Sequence, residues 1–188
     1  MTISRRAVVL GATALAGSAA STQVTAAQAA SAGEISSAAH RALELLYREQ
    51  PRTREIGKRA VAVLVFPKIY KGGVIIGGQT GDGALLVRGA TEAFYNISAA
   101  SFGLQLGGQT FSYVLFFMNE RALDYLRKSD GWALGSGPTV VVMDQGRAAS
   151  LTTTTLTQDV YAFPFGEKGL MAGLNVEGSK ITRIQPGR

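Results

Sequence analysis

The chain has no cysteine among its 188 residues. Disulfides, thiolate nucleophiles, thiolate metal sites and the lipid-carrying cysteine of a bacterial lipoprotein are therefore excluded. Histidine occurs once, at His40, which leaves a histidine-based zinc site or a Ser-His-Asp triad without local support. No Gly-x-x-x-x-Gly-Lys-Ser/Thr loop is present, and no Gly-x-Gly-x-x-Gly opens a helix after a strand, so the sequence signs of nucleotide binding are missing. Asp82, Asp124, Asp130, Asp144 and Asp159 are scattered and form no Asp-x-Asp-x-Asp-Gly calcium loop. The chain reads as a non-enzyme with no metal and no cofactor.

Long hydrophobic runs are lacking too. The apolar run from Ala7 to Ala20, about 14 residues, falls short of the roughly 20 needed to cross a bilayer. It follows Ser4-Arg5-Arg6 and precedes Ala27-Gln28-Ala29, a small-x-small cleavage pattern. Residues 1–29 are therefore expected to be a cleavable export signal, and the arginine pair fits the twin-arginine type. Residues 30–188 are expected to form one domain, periplasmic or secreted. Losing Arg5 and Arg6 and no acid lowers the formal charge of +6 by two. So moderate an excess argues against a nucleic-acid partner.

From Ser31 to Gln50 the pattern is helical. Ser31 and Glu34 stand at capping-box spacing, and Ile35, Ala39, Ala42, Leu43 and Leu46 recur at three and four. Such a helix can cover a sheet or lie in a membrane interface with Ile35, Leu43 and Leu46 inward. Pro51 ends it, and Thr53 is expected to cap a second, short helix through Arg59. Between Arg48 and Lys71 lie Arg48, Arg52, Arg54, Lys58, Arg59, Lys68 and Lys71 against Glu49 and Glu55. The charge excess is concentrated there, either as a solvated face or as a contact surface for anions.

Ala60 to Phe66 (AVAVLVF) is expected to be a strand buried on both faces and ended by Pro67. Glycine doublets at 72–73, 77–78 and 107–108 mark kinks in the strands that follow. Asp82-Gly83 reads as a hairpin turn. Strands are expected at 84–88, 101–107, 110–118, 139–143, 148–153, 160–165, 169–176 and 180–184. A helix capped by Asn119 should run to about Lys128 with Leu123 and Leu126 inward. Trp132, Tyr113, Tyr125 and Tyr161 fit core packing or a membrane-facing belt. The fold class is α+β, predominantly β: a strongly curled antiparallel sheet or barrel with glycine-kinked strands and covering helices.

Three segments in order, VLVFPKIYKGGVIIGGQTGDGALLVR, SFGLQLGGQTFSYVLFFMNERALDYL and GEKGLMAGLNVEGSKI, resemble the SYLF domain over roughly residues 36–184. The resemblance implies lipid binding, with actin binding in fungal members, and implies no catalysis. The expected partner is therefore an anionic phospholipid or membrane surface. Arg54, Lys58, Arg59, Lys68 and Lys71 are the candidate lipid-binding residues, and the first helix or an apolar loop would supply partial insertion. Actin is an unlikely partner for an exported bacterial protein. The alternatives are an envelope structural or protein-interaction module that pairs through a sheet edge such as 139–143, and, further off, a hydrolase acting on a lipid or glycan.

Overall fold

The computed structural model describes residues 30–73, 76–102, 107–143, 156–168 and 178–187. The segment expected to be an export signal and the strands expected at 148–153 and 169–176 lie outside the described residues. The elements are α1 (Ala32–Glu49), α2 (Arg52–Arg59), β1 (Ala62–Gly73), β2 (Ile76–Val87), β3 (Ala90–Phe102), β4 (Gly107–Phe117), α3 (Glu120–Lys128), β5 (Trp132–Ala133), β6 (Val140–Val142), β7 (Val160–Lys168) and β8 (Lys180–Ile184). The strands form one sheet in the order β5-β8-β3-β2-β1-β4-β7-β6. Pairing is antiparallel from β5 to β7, but β6 lies parallel to β7, so the sheet is mixed rather than wholly antiparallel.

The sheet curls into a half-barrel with two outer strands. Trp132 of β5 and Phe117 of β4 have ring centroids 5.9 Å apart, although five strand spacings, about 24 Å on a flat sheet, separate β5 from β4 in strand order. Inside the curl, Leu64, Phe66, Ile69, Tyr95, Phe111, Tyr113, Leu115 and Trp132 pack with Leu123 and Leu126 of α3. The outer face carries a second core, in which Ile35, Ala39 and Leu46 of α1 and Ile56 of α2 cover Val63, Val65, Ala84, Leu86 and Phe116. Alternate residues of β1 therefore enter different cores, which is why Ala62–Phe66 reads as an uninterrupted apolar run.

Local chemistry departs from expectation at three places. Pro67 does not end β1. The strand runs on to Gly73 with one extra residue between Phe66 and Ile69, because Phe66 opposes Tyr113 while Ile69 opposes Phe111. A bulge absorbs the missing proline donor, and the Ser112 hydroxyl donates to the Pro67 carbonyl at 2.8 Å. Asp82-Gly83 is not a turn but lies within β2, opposite Asn96 and Tyr95. A Cβ at Gly83 would press on the Val65 carbonyl and the Phe66 ring, so the glycine there serves close strand contact. The hairpin turn is instead Arg88-Gly89, with φ of 52° and 82°, a two-residue loop in the sense that suits strand twist. Thr53 sits inside α2, buried, with its hydroxyl on the Gln50 carbonyl at 2.6 Å, and Pro51 holds the cap position.

The helix ends at Ser31 and Asn119 form as their side chains predict. Ser31 and Glu34 make a full capping box, and the Asn119 side chain accepts from the Ala122 amide at 2.9 Å. Asp159 joins three elements at the near end of the sheet. Its carboxylate accepts from the Thr139 amide at 3.0 Å, from Asn119 at 2.9 Å and from Arg121 at 2.9 Å. The Thr139 amide, then the Asn119 carboxamide, hold its pKa below the ordinary aspartate value. A depressed folded-state pKa stabilises the fold above the unfolded pKa, near 4, and that contribution disappears as pH falls through the folded value. Asp159→Ala should therefore cost about 1–3 kcal/mol at pH 7 and should flatten the loss of stability between pH 5 and pH 3. Urea unfolding of both proteins across that range measures it.

Candidate functional site

The seven basic residues between Arg48 and Lys71 do not share one surface. Arg54, Lys58 and Arg59 stand on α2, which leads directly into the start of β1. Lys71 lies nine residues beyond Ala62, about 30 Å along an extended strand. The sequence cluster is thus drawn out along the sheet, with Arg48, Arg52, Arg54, Lys58 and Arg59 on the helices before β1 and Lys68 and Lys71 further along the strand.

The two groups also differ electrostatically. Arg54 pairs with Glu44 at 3.0 Å and lies over the Tyr47 ring at 4.7 Å. Lys58 pairs with Glu55 at 2.7 Å. Among the described residues neither Lys68 nor Lys71 makes an ion pair; Lys68 lies over the Tyr70 ring at 4.7 Å. Tyr70 is 55% exposed, the most open of the large hydrophobic residues described. Ile35 and Leu46, at 4% and 0% exposure, are buried in the outer core, and Leu43 packs against it. The apolar stripe of α1 covers the sheet. Trp132, Tyr113 and Tyr161 are core residues, whereas Tyr125 is partly exposed beside Trp132.

One pattern became visible only through strand register. The tetrapeptide Gly-Gly-Gln-Thr occurs at 77–80 in β2 and at 107–110 in β4, and both copies pair antiparallel with Tyr70-Lys71-Gly72-Gly73 of β1. Four cross-strand rungs result: Thr80–Tyr70–Thr110, Gln79–Lys71–Gln109, Gly78–Gly72–Gly108 and Gly77–Gly73–Gly107. β3 extends them with Ser98, Ala99, Ala100 and Ser101. Tyr70 follows the outer face and Lys71 the inner one, because Ile69 belongs to the inner core. The helices stop short of this region, since the outer core reaches no further along β1 than Val65. The repeat was legible in the sequence; its meaning was not, because nothing local says that two distant segments flank a third.

At the opposite end, a cleft of about 810 Å³ opens between α1, α2, α3 and the β2–β3 turn, with Leu43, Val61, Leu86 and Leu123 on its floor and His40, Glu44, Lys58, Arg88, Glu120 and Arg127 around it. Its charges are mixed, and Arg127 is already held by Glu92 at 2.7 Å. Among the described residues no three His, Asp or Glu side chains gather as a metal site requires, and no helix is long and apolar enough to cross a membrane.

A curled mixed sheet with helices on both faces makes this an α+β domain of predominantly β structure. Residues 98–185 match the family model described as Ysc84, Las17-binding protein actin regulator, in agreement with the SYLF resemblance. The family comprises binding domains associated with lipids and with actin regulation rather than catalysts. The matched residues run from the end of β3 to β8, so α1, α2 and the β1–β2 hairpin lie before them. No curated protein matches the chain.

The burial of α1 and the exposure of Arg54 make opposite predictions for stability. Leu46→Ala should cost about 2–5 kcal/mol through the cavity it leaves. Arg54→Ala should cost less than about 1 kcal/mol, because its ion pair is solvent-exposed. Chemical denaturation of the two variants tests this; an unchanged midpoint for Leu46→Ala would contradict α1 as a core helix.

Proposed function

We propose that the protein is an exported phospholipid-binding domain that docks on anionic membrane lipid with the glycine-rich end of its sheet. The observation that carries the reading is the pair of lysines that make no ion pair among the described residues, Lys68 and Lys71, on either side of the exposed Tyr70. Tyrosine suits the membrane–water boundary, with an apolar ring and a polar tip. A basic residue near an anionic surface contributes on the order of 1 kcal/mol, less when salt screens it, and Arg54 and Lys58 already spend that attraction on Glu44 and Glu55. The segments joining these strand ends read Val74-Ile75 and Gly103-Leu104-Gln105-Leu106 in sequence. Export rests on Arg5-Arg6 and the apolar run behind them. Phosphatidylglycerol or cardiolipin is the ligand class that suits a bacterial envelope.

A protein-interaction module is the second reading. It is favoured by β6, an outer strand of three valines, whose outer edge pairs with no other strand among the described residues and can accept one.

Co-sedimentation with phosphatidylglycerol-containing and with neutral vesicles separates the two. Binding should be stronger to the anionic vesicles and fall with added salt. Lys68→Glu with Lys71→Glu should weaken it about tenfold, while Arg54→Glu with Lys58→Glu should change it little. Equal binding to both vesicle types, or the reverse ranking of the double variants, rejects this docking surface. A dominant protein adduct on crosslinking in intact cells would favour the second reading.

A further inference from the structure

We infer that the Gln79–Lys71–Gln109 rung, with Ser179 beside it, is a binding site for a single phosphate group at the mouth of the half-barrel. The argument starts from what the inner face contains elsewhere. Along β1 it carries Leu64, Phe66 and Ile69, all 0% exposed. At the next inward position stands Lys71, half-buried and without an ion pair among the described residues. An ammonium drawn partly out of water needs an anion or a set of acceptors to offset the lost hydration. Its cross-strand neighbours are two carboxamides, Gln79 on one side and Gln109 on the other, and neither can supply a negative charge.

Gln79 is nonetheless arranged as a donor. Gln79 is 7% exposed and donates through Nε2 to the Ser179 hydroxyl at 3.0 Å; Ser179 is itself 0% exposed. That bond uses one of two carboxamide hydrogens, and it leaves the Ser179 proton available to another acceptor. Directly opposed residues on adjacent strands stand about 5 Å apart, so an oxyanion above Lys71 lies within reach of side chains from three strands. Lysine recognises phosphate as a point charge, and the amides and hydroxyl add direction. Access follows from the next rungs outward, Gly78–Gly72–Gly108 and Gly77–Gly73–Gly107, which carry no side chain to close the mouth.

The phosphate can belong to a lipid head group or to a soluble phosphate ester. The first source rests on the docking reading above; the second does not. The test follows the side-chain amide resonances of Gln79 and Gln109 in the full chain during titration with glycerol 3-phosphate and, separately, acetate, alongside vesicle co-sedimentation. Glycerol 3-phosphate should shift both amide pairs in the wild type and in Lys128→Met, on the exposed side of α3, but not in Lys71→Met, and acetate should shift them several-fold less. Gln109→Leu, a second variant that retains the lysine, should weaken the response severalfold, with the backbone amide spectrum reporting that each variant is folded.

If Lys71→Met also lowers binding to phosphatidylglycerol vesicles, the head group is the source; if vesicle binding is unchanged, a soluble ester is. No shift with glycerol 3-phosphate, together with vesicle binding that depends on Lys68 and not on Lys71, overturns the site and leaves docking intact. A shift lost in Lys71→Met in a protein that binds no vesicles upholds the site and removes the docking reading. Equal shifts with acetate overturn the assignment to phosphate.

Discussion

The structure depends on one strand being buried from both sides. β1 is flanked by β2 and β4 and sends alternate residues into an inner and an outer core. Burial on two faces leaves little freedom to slip, because a shift of one residue would exchange the two sets of side chains. The extra residue at Pro67 is tolerated as a bulge between regions of fixed register. Beyond Ile69 the strand leaves both cores and becomes a surface.

That transition explains the different behaviour of the basic residues. Before β1, lysine and arginine sit on a helix turn beside glutamates and are neutralised locally. After the bulge, Lys68 and Lys71 stand in a region where the paired strands contribute threonine, glutamine and glycine. Residues near in sequence have thus been separated in charge environment by the length of the strand between them. The half-barrel, closed at one end by Trp132 and α3, gives this region an inside and an outside.

Much of the architecture could be read in advance, and the reasons are local. Ser31 with Glu34 and Asn119 with the Ala122 amide are short-range contacts, so helix starts were evident from spacing. The apolar periodicity of α1 identified its buried face, although not what would cover it. Pro67 and Asp82-Gly83 misled because their local preference was overridden by pairing: a bulge accommodates the proline, and close packing on Phe66 explains the glycine. β3 was the least legible strand. Its stretch from Ala90 to Ala100 mixes small and polar residues, and the Arg88-Gly89 turn before it lacks the usual asparagine. The functional end was hidden for a further reason, since counting charges along the chain joins α2 to β1, whereas register separates them.

The ends of the described chain carry a practical meaning. The Ala32 amide donates to the Gly187 carbonyl at 3.2 Å, and Ser36 meets Thr91 at 2.7 Å, next to the β2–β3 turn. Both ends of the domain therefore emerge side by side, at the pole of the molecule remote from Lys71. A fusion partner or affinity tag attached at either one hangs from the same pole, and a short linker between them would allow the chain to be reopened at another loop. Immobilised in that way, the domain presents its glycine-floored mouth outward.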